Sequence, residues 1–480
     1  MSDRSSTGNG PPVRPTLLYR WAVVLLVPAA LMLLRVPAGV TVPGWRLFAI
    51  FVGTILGLIL QPLPLGAMAL IGVAAASMSG GLPPGQALSG YADPLVWMVL
   101  AAFCISRGMI KTGLGRRIAL WFIRAIGHSS IGLGYSVVAA DTLLGMVVPS
   151  NGARVGGVIF PIVKSLAEAY ESTPGPTAGR LGAFLILMVY HCDMTVSAMF
   201  FTGNAANPLI VSLAKQVTGI ELSYTRWAVG GIVPALASMA VVPMVLWRVR
   251  APSVRRTPAA AAFASAELDR LGPPSSAERI MLGVFALTTI LYVTKAWHGI
   301  DYPVTALAGL GALLVTRVLT WDDVLAERSA WDTFVWYGAI YAMARALNES
   351  GLSSAFAQSL GGVASGWSWW MVVPVLLAIY LYAHYAFATI TAHVSAMYVP
   401  FAIVMLAAGT PPILTVLTMA YVSSLGASLT HYGTTSSPIY YGAGYLSQGA
   451  WWRVGLLVAT VNALVWMACG LVWWKALGWW

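Results

Sequence analysis

Charged side chains are scarce in this 480-residue chain: Asp, Glu, Lys and Arg make up 9% of it, whereas soluble domains average about 25%. Two long stretches, residues 47–92 and 350–452, contain none of them. Only lipid or other apolar helices can surround such runs. Because the apolar runs are continuous rather than alternating, the sequence predicts an all-α polytopic membrane protein and not a β-barrel.

Cysteine is also rare. Cys104, Cys192 and Cys469 lie far apart in apolar surroundings, so neither a disulfide framework nor a metal-ligand spacing emerges. The chain has no nucleotide-binding loop of the Gly-Lys-Thr type, which disfavours ATP-driven transport. We therefore expect no cofactor and no metal ligands, with a bound Na⁺ only if the protein is a sodium-coupled transporter.

Basic side chains give a net charge of +11 and concentrate in two places. Three arginines precede residue 21, and six lie in the polar stretch 248–279. The positive-inside rule places the N-terminus and this linker in the cytoplasm, and the pattern does not indicate a nucleic-acid partner. Residues 1–18, rich in Pro, Gly and Ser, are predicted to be a disordered cytoplasmic tail. The apolar segment that follows is interpreted as a retained first helix.

Two short polar stretches correspond at one offset. Residues 150–154 (Ser-Asn-Gly-Ala-Arg) align with residues 389–393 (Thr-Ile-Thr-Ala-His), since 389 − 150 = 239. Each lies between two apolar arms, within 128–170 and 367–408. Lipid does not tolerate a polar tip, so each stretch is predicted to be a re-entrant hairpin buried in protein. The alternative is a single bent helix with a satisfied polar patch.

Two long apolar segments carry a second correspondence. Residues 202–208 (Thr-Gly-Asn-Ala-Ala-Asn-Pro) align with residues 432–438 (Tyr-Gly-Thr-Thr-Ser-Ser-Pro), since 438 − 208 = 230. A Gly, several polar groups and a Pro inside an apolar helix are expected to unwind it. The freed backbone groups then become available to a ligand.

Apart from the hairpins, eleven apolar segments are predicted, six before the linker and five after it. With the first segment set aside, each repeat has five crossings. Because five is an odd number, the second copy is expected to be inverted. The predicted halves are residues 19–247 and 280–480, joined by the cytoplasmic linker 248–279. Short stretches near 114–127 and 352–366 are expected to be interfacial connectors. Inverted repeats are typical of secondary transporters, with the substrate near the midplane.

The polar residues of the tips and breaks form the predicted site. Arg154 is buried in membrane, where a guanidinium is costly unless it is paired or functional; it either balances substrate charge or neutralises Asp141. Asp93 and Asp332 are predicted to be helix caps. The predicted substrate-binding residues are Ser150, Asn151, Gly152, Thr389, Thr391, Thr202, Asn204, Thr434 and Thr435, and the predicted charge-balancing residues are Arg154, His393 and His431.

These motifs resemble those of the divalent anion:sodium symporter family, most narrowly its branch of dicarboxylate and tricarboxylate exchangers. The likeness covers residues 45–470, with its longest motifs at 149–161, 389–398 and 429–445. It departs from the family's Ser-Asn-Thr tip at Gly152, which lacks the third hydroxyl, and at Ile390. The resemblance implies a homodimer in which a transport domain slides past a scaffold domain like an elevator. It also implies substrate carboxylates between the two tips.

The leading hypothesis is Na⁺-independent exchange of C4–C6 di- and tricarboxylates across a bacterial inner membrane, with Arg154 and His393 doing what bound sodium does in coupled members. A Na⁺-coupled dicarboxylate symporter is the alternative within the class. A membrane-embedded enzyme using His191, Cys192 and Asp193 is an alternative from another class. Adjacent helical residues face different sides, which disfavours such a relay.

Overall fold

The structure, a computed structural model, describes residues 15–352, Ala355 and residues 368–480. Regular structure in these ranges is helical, apart from one isolated antiparallel bridge between Ser129 and Arg256. Nine helices in the described part of the chain are long and apolar enough to cross a membrane. The prediction of an all-α polytopic membrane protein is confirmed.

Helices occupy all eleven predicted segments. The six before the linker are Pro15–Leu33, Val42–Leu60, Leu65–Met78, Pro94–Thr112, Gly182–Met199 continued by Ala206–Thr218, and Tyr224–Arg250. The five after it are Ser276–Val293, Tyr302–Val315, Arg328–Glu349, Pro412–Leu425 continued by Ser437–Gly442, and Gln448–Ala476. The first helix begins inside the tail predicted to be disordered, of which residues 1–14 lie outside the described ranges.

Both predicted hairpins are pairs of helices that turn back on each other, not single bent helices. In the first hairpin, Ser130–Gly145 is followed by a widened π-type helix Gly152–Ile159 that runs into Phe160–Ala169. In the second, Trp369–Ala383 leads through a 3-10 turn into Ile390–Ala407. The chain reverses at residues 146–151 and 384–389, which we call the first and second tips. The aligned polar residues therefore lie at the start of the second arm of each hairpin and not at the centre of each turn.

Shorter helices connect these elements. The predicted connector near 114–127 is the helix Leu114–Ile126, and the linker contains a helix, Pro258–Leu271, packed against it. Most of the other predicted connector, 352–366, lies outside the described residues. The remaining short helices are Pro84–Ala87, the 3-10 turn Ser89–Ala92, Lys295–His298, Trp321–Ala326, the 3-10 turn His384–Ala386 and the 3-10 turn Gly426–Leu429.

The two predicted acidic caps have different outcomes. Asp93 precedes Pro94–Thr112 and its side chain accepts a hydrogen bond from the Leu95 amide, as a helix cap does. Asp332 lies inside Arg328–Glu349, so the prediction that it caps its own helix is wrong. Its Oδ1 instead accepts the Gly66 amide at 3.2 Å, which satisfies the start of another helix, Leu65–Met78. Sequence position alone does not reveal a cap that is supplied from a neighbouring helix.

The centre of the fold is the helix Gly182–Met199, in which every residue is buried. It packs against the first hairpin arm Ser130–Gly145, against Tyr224–Arg250 and against Pro412–Leu425. This placement brings Asp193 and Ser197 beside the first tip, and it joins the two halves of the chain.

Candidate functional site

Two helix breaks lie at the positions that the repeat predicts. Gly182–Met199 ends before residues 200–205, the first break, and Pro412–Leu425 gives way to residues 426–436, the second break. Each break needs a glycine. A Cβ on Gly203 would lie 2.6 Å from the Ser197 carbonyl oxygen, and a Cβ on Gly433 would lie 2.7 Å from that of Ala427. These glycines are equivalent, since 433 − 203 = 230.

The tips and breaks converge on one region. Thr202 in the first break donates hydrogen bonds to the Gly145 and Met146 carbonyls of the first tip, at 3.1 and 2.7 Å. Gly152 faces the second break, where Thr435 Oγ1 lies 3.3 Å from the position of a Cβ. Helix Ala206–Thr218, which follows the first break, packs against Ile390–Ala407 of the second hairpin. The two tips and the two breaks are therefore neighbours in the fold.

Arg154 is completely enclosed, and all five of its N–H groups are used. Nε donates to Asp141 Oδ1 at 2.6 Å, and Nη2 donates to Asp193 Oδ1 at 2.5 Å and to Ser197 Oγ at 3.4 Å. Nη1 donates to the Val148 carbonyl of the first tip and to the Gly203 carbonyl of the first break, both at 2.8 Å. The guanidinium thus joins tip, break and central helix.

The role of Arg154 in balancing substrate charge stays a prediction, and in this structure the guanidinium is paired with protein acids. Two carboxylates already offset its charge, and no N–H remains for an anion. The alternative given for this residue, neutralisation of Asp141, describes a pair that the structure contains, and Arg154 also binds the Val148 carbonyl of the first tip. Neutralisation of a buried guanidinium by acids is also what its desolvation cost requires.

Two histidines occupy the matching place in the second half. His384 Nε2 lies 2.9 Å from the Gly433 carbonyl oxygen, and His384 Nδ1 lies 3.0 Å from His393 Nδ1. Because a carbonyl only accepts, His384 Nε2 carries a hydrogen, and in a neutral pair His393 Nδ1–H donates to His384 Nδ1. His393 Nε2 is then a buried acceptor that no residue in the described part of the chain contacts as a donor. The contact with the second break is made by His384, and the charge-balancing role of His393 stays a prediction.

The tip hydroxyls of Ser150 and Thr389 can still donate a hydrogen bond to an anion. Ser150 Oγ accepts the Ala153 amide at 3.2 Å, and Thr389 Oγ1 accepts the Ala392 amide at 3.1 Å, an equivalent pair because 392 − 153 = 239. Each hydroxyl therefore caps a second arm and retains its O–H hydrogen for an anion. Both residues are half-buried, and Thr435 is exposed.

Other predicted residues are buried more deeply. Asn151 donates to Asp193 Oδ2 at 2.9 Å and to Ser197 Oγ at 2.6 Å, so its amide supports the Arg154 network. Asn204 donates to Ser424 Oγ at 2.8 Å, which holds the two broken helices together. Thr391, Thr434 and Ile390 are buried at the edges of the same region. In this arrangement these side chains shape the site more than they line it.

His431 lies in the second break but belongs to an aromatic cluster. Trp452 Nε1 donates to His431 Nδ1 at 2.9 Å, and the Tyr441 ring centroid lies 4.6 Å from that of His431. Its predicted charge-balancing role stays a prediction. Sequence reasoning gave no role to His384, although its place five residues before the second polar stretch was a usable signal, since a cation-capable side chain is rare in an apolar run.

The residues of the enzyme hypothesis do not form a relay. Among the residues that the structure describes, neither ring nitrogen of His191 has a hydrogen-bond partner, while Asp193 is bound to Arg154. No group of three or more His, Cys, Asp or Glu side chains within the described ranges could hold a metal ion. The convergent tips, breaks and half-buried hydroxyls are features of an anion-binding site rather than of a reaction centre.

Comparisons with known proteins agree with this geometry. A family model described as the sodium:sulfate symporter transmembrane region matches residues 16–480. Dicarboxylate transporter 1 of Arabidopsis thaliana chloroplasts is 44% identical over 450 residues, which cover 93% of this chain and 80% of that protein. The L-tartrate/succinate antiporter of Escherichia coli is 33% identical over 483 residues, covering 95% of this chain and 97% of that protein.

Among solved structures, the YdaH transporter of Alcanivorax borkumensis matches with a TM-score of 0.53 at 16% identity, covering 97% of this chain and 99% of that one. At this identity the match concerns the fold alone. The relatives are transporters, so the chain is a membrane transporter and the enzyme hypothesis is excluded. The chain belongs to the sodium:sulfate symporter family, the divalent anion:sodium symporters that its tip motifs resemble.

Proposed function

We propose that the protein is a secondary transporter that exchanges C4–C6 di- and tricarboxylates across the bacterial inner membrane without sodium. One observation carries the sodium-independent part: a protein donor occupies the equivalent glycine carbonyl oxygen in each helix break. Arg154 binds the Gly203 carbonyl, and His384 binds the equivalent Gly433 carbonyl. A hard cation such as Na⁺ requires several such oxygens free.

The substrate class is supported by the chemistry of the site and by the names of the relatives. Ser150 and Thr389 offer O–H donors, and the second arms begin there with the positive end of a helix dipole. Carboxylate oxygens accept from such groups. The dicarboxylate transporter and the tartrate/succinate antiporter carry substrates of this chemistry by name.

Exchange follows from the proposed lack of a coupling ion. If no cation moves with the anion, uphill transport of one anion needs the gradient of a second anion. This argument does not use the charge of Arg154, since Asp141 and Asp193 offset it. We further propose a homodimer with elevator-like movement and a cytoplasmic N-terminus, as the family resemblance and the positive-inside rule imply.

Counterflow in proteoliposomes tests this proposal. Vesicles loaded with unlabelled malate should take up labelled malate, succinate, citrate or tartrate equally well when choline replaces Na⁺ on both sides. Vesicles without internal substrate should take up little. A strong dependence on Na⁺ would establish the symporter instead, and equal uptake into empty and loaded vesicles would contradict obligatory exchange.

A second test exposes the Gly433 carbonyl and leaves the tip hydroxyls unchanged. The variant His384→Ala removes the imidazole that binds this carbonyl. It should lose exchange activity or become sensitive to Na⁺. Full, sodium-independent exchange in this variant would contradict the idea that the occupied carbonyl replaces a cation site.

A further inference from the structure

The Arg154 network contains more acid than base. One guanidinium contacts two carboxylates, those of Asp141 and Asp193, and the exposed fraction of each side chain is at most 1%. With both acids ionised, the cluster carries a net charge of −1 in the middle of an apolar fold. Buried, uncompensated charge of this kind is costly in any membrane protein.

Hydrogen bonding around the two acids is unequal. Both oxygens of Asp193 are bound, Oδ1 to Arg154 and Oδ2 to Asn151. Asp141 Oδ1 binds Arg154, but Asp141 Oδ2 is buried and receives no hydrogen bond from any residue that the structure describes. Both carboxyl groups bind the same guanidinium, Asp141 Oδ1 through Nε and Asp193 Oδ1 through Nη2, so they are close neighbours. Two carboxyl groups that hydrogen-bond to each other need a hydrogen between them, because ionised carboxylates only accept.

In the described part of the chain, the groups that face the pair offer no second cation. From the central helix and the second half, the neighbouring titratable side chains are Cys192, Tyr190 and Tyr440, which are neutral as a thiol and phenols. Tyr135 lies on the same helix as Asp141 and donates to the Met239 carbonyl. Charge balance therefore has to come from within the cluster itself.

The helix Leu114–Ile126, which also packs against the first arm, does not supply the missing charge. Its basic residues are engaged or turned away. Arg117 binds Glu278 and the Gly272 carbonyl, Arg116 binds Glu267, and Arg124 is exposed, as is His128 after the helix.

We propose that Asp141 and Asp193 hold one exchangeable proton between them, which makes the cluster with Arg154 neutral. Asp141 Oδ2–H is the donor and the Asp193 carboxylate is the acceptor, and at high pH the proton leaves to hydroxide or water. The shared proton is the usual solution when two carboxylates occupy one site. This buried proton site is independent of the proposed sodium-free exchange and of which anion is carried.

Loss of this proton would place a negative charge behind the first tip. Asn151 connects the cluster to the tip hydroxyl Ser150, its neighbour in sequence, and Arg154 holds the tip carbonyl of Val148. An anionic substrate would then be repelled, so exchange is expected to fall as the pH rises through the titration of the pair. Protonation thus acts on substrate affinity, whichever ion drives transport.

Infrared spectroscopy of the purified, full-length transporter tests the proton directly. The C=O stretch of a protonated carboxylic acid should persist in the wild type at a pH where exposed acids are ionised, and it should disappear at higher pH. Asp141→Asn and Asp193→Asn should each remove it. Asp93→Asn, a matched change at a helix cap outside the cluster, should leave it unchanged.

Absence of this band in the wild type, or its persistence in both cluster variants, would overturn the proposal. A band that disappears on adding Na⁺ or K⁺ at constant pH would assign the site to a metal cation instead. Counterflow gives a second readout: the alkaline loss of exchange seen in the wild type should be absent in Asp141→Asn. An identical pH profile in Asp141→Asn would contradict the proposed effect on substrate binding.

Discussion

At the scale of single residues, Gly152 shows how one missing side chain can define a binding site. It opens the second arm of the first hairpin, and its backbone has no left-handed conformation that would demand glycine. The requirement is spatial, because Thr435 Oγ1 of the second break lies 3.3 Å from the position of a Cβ. The family resemblance leads one to expect a third tip hydroxyl at position 152. Gly152 has no side chain there, which leaves space between the first tip and the second break.

We expect Gly152→Thr to weaken substrate binding. Its side chain would press on Thr435, and overpacking of this kind costs about 1–3 kcal/mol, so the KM for counterflow should rise roughly tenfold. Combining it with Thr435→Ala should recover part of the loss. Gly157→Ala is the matched control on the same helix, since its Cβ would make only ordinary contacts, 3.7 Å from Ile110. An unchanged KM in Gly152→Thr would show that this space is not used by the substrate.

Residue positions were predictable here, and so was one partner. The repeat located Arg154 because a cation in an apolar run is conspicuous, and Asp141 was expected as its alternative partner. The contact with Asp193 and the carbonyl contacts follow from the packing of Gly182–Met199 against the first hairpin. His384 escaped notice for the same reason. It has no counterpart in the aligned polar stretches, and only the folded second tip brings it to Gly433.

At the scale of elements, polar residues inside apolar runs located the hairpins and the breaks. Lipid offers no partner for freed backbone groups, so such residues mark places where the helix ends and protein must supply the hydrogen bonds. The direction of each turn depends on tertiary contacts, which is why the chain reverses at residues 146–151, before most of the predicted tip. Asp332 follows the same principle, because its role comes from the neighbouring helix start at Gly66.

A tight contact between elements gives a test of the fold. Gly90, in the 3-10 turn Ser89–Ala92, lies against the backbone carbonyl of Gly338 so closely that a Cβ would overlap it. Gly90→Ala must push this turn away from the helix Arg328–Glu349, and it should break the bond from Tyr91 OH to the Val335 carbonyl. We expect a destabilisation of about 1–3 kcal/mol, seen as a lower apparent Tm in detergent.

The control for this change lies five residues earlier. Gly85 is in the preceding short helix and a Cβ there would meet no heavy atom within 4 Å. Gly85→Ala should therefore leave the apparent Tm near that of the wild type. Equal effects of the two alanines would mean that the packing of this turn against Arg328–Glu349 contributes nothing to stability.

At the scale of the whole molecule, the proposed orientation in the membrane rests on the distribution of charge. The linker end of the fold collects buried and surface ion pairs, among them Arg117–Glu278 and Arg116–Glu267. Six arginines of residues 248–279 add to it an excess of positive charge. Packing fixes which ends of the helices lie together, whereas the proposal that the linker end faces the cytoplasm relies on this excess.

Cysteine labelling on either side of one helix tests this orientation. Ala266 is exposed in the linker helix before Ser276–Val293, and Trp297, 88% exposed, follows that helix. In a Cys469→Ser background, where the remaining native cysteines are buried, a membrane-impermeant maleimide should label Trp297→Cys in intact cells and Ala266→Cys only in inverted vesicles. The reverse pattern would place the linker outside the cytoplasm. Labelling of both positions from one side would mean that Ser276–Val293 does not cross the membrane. The second repeat would then no longer have an odd number of crossings, and the argument that it is inverted would fail.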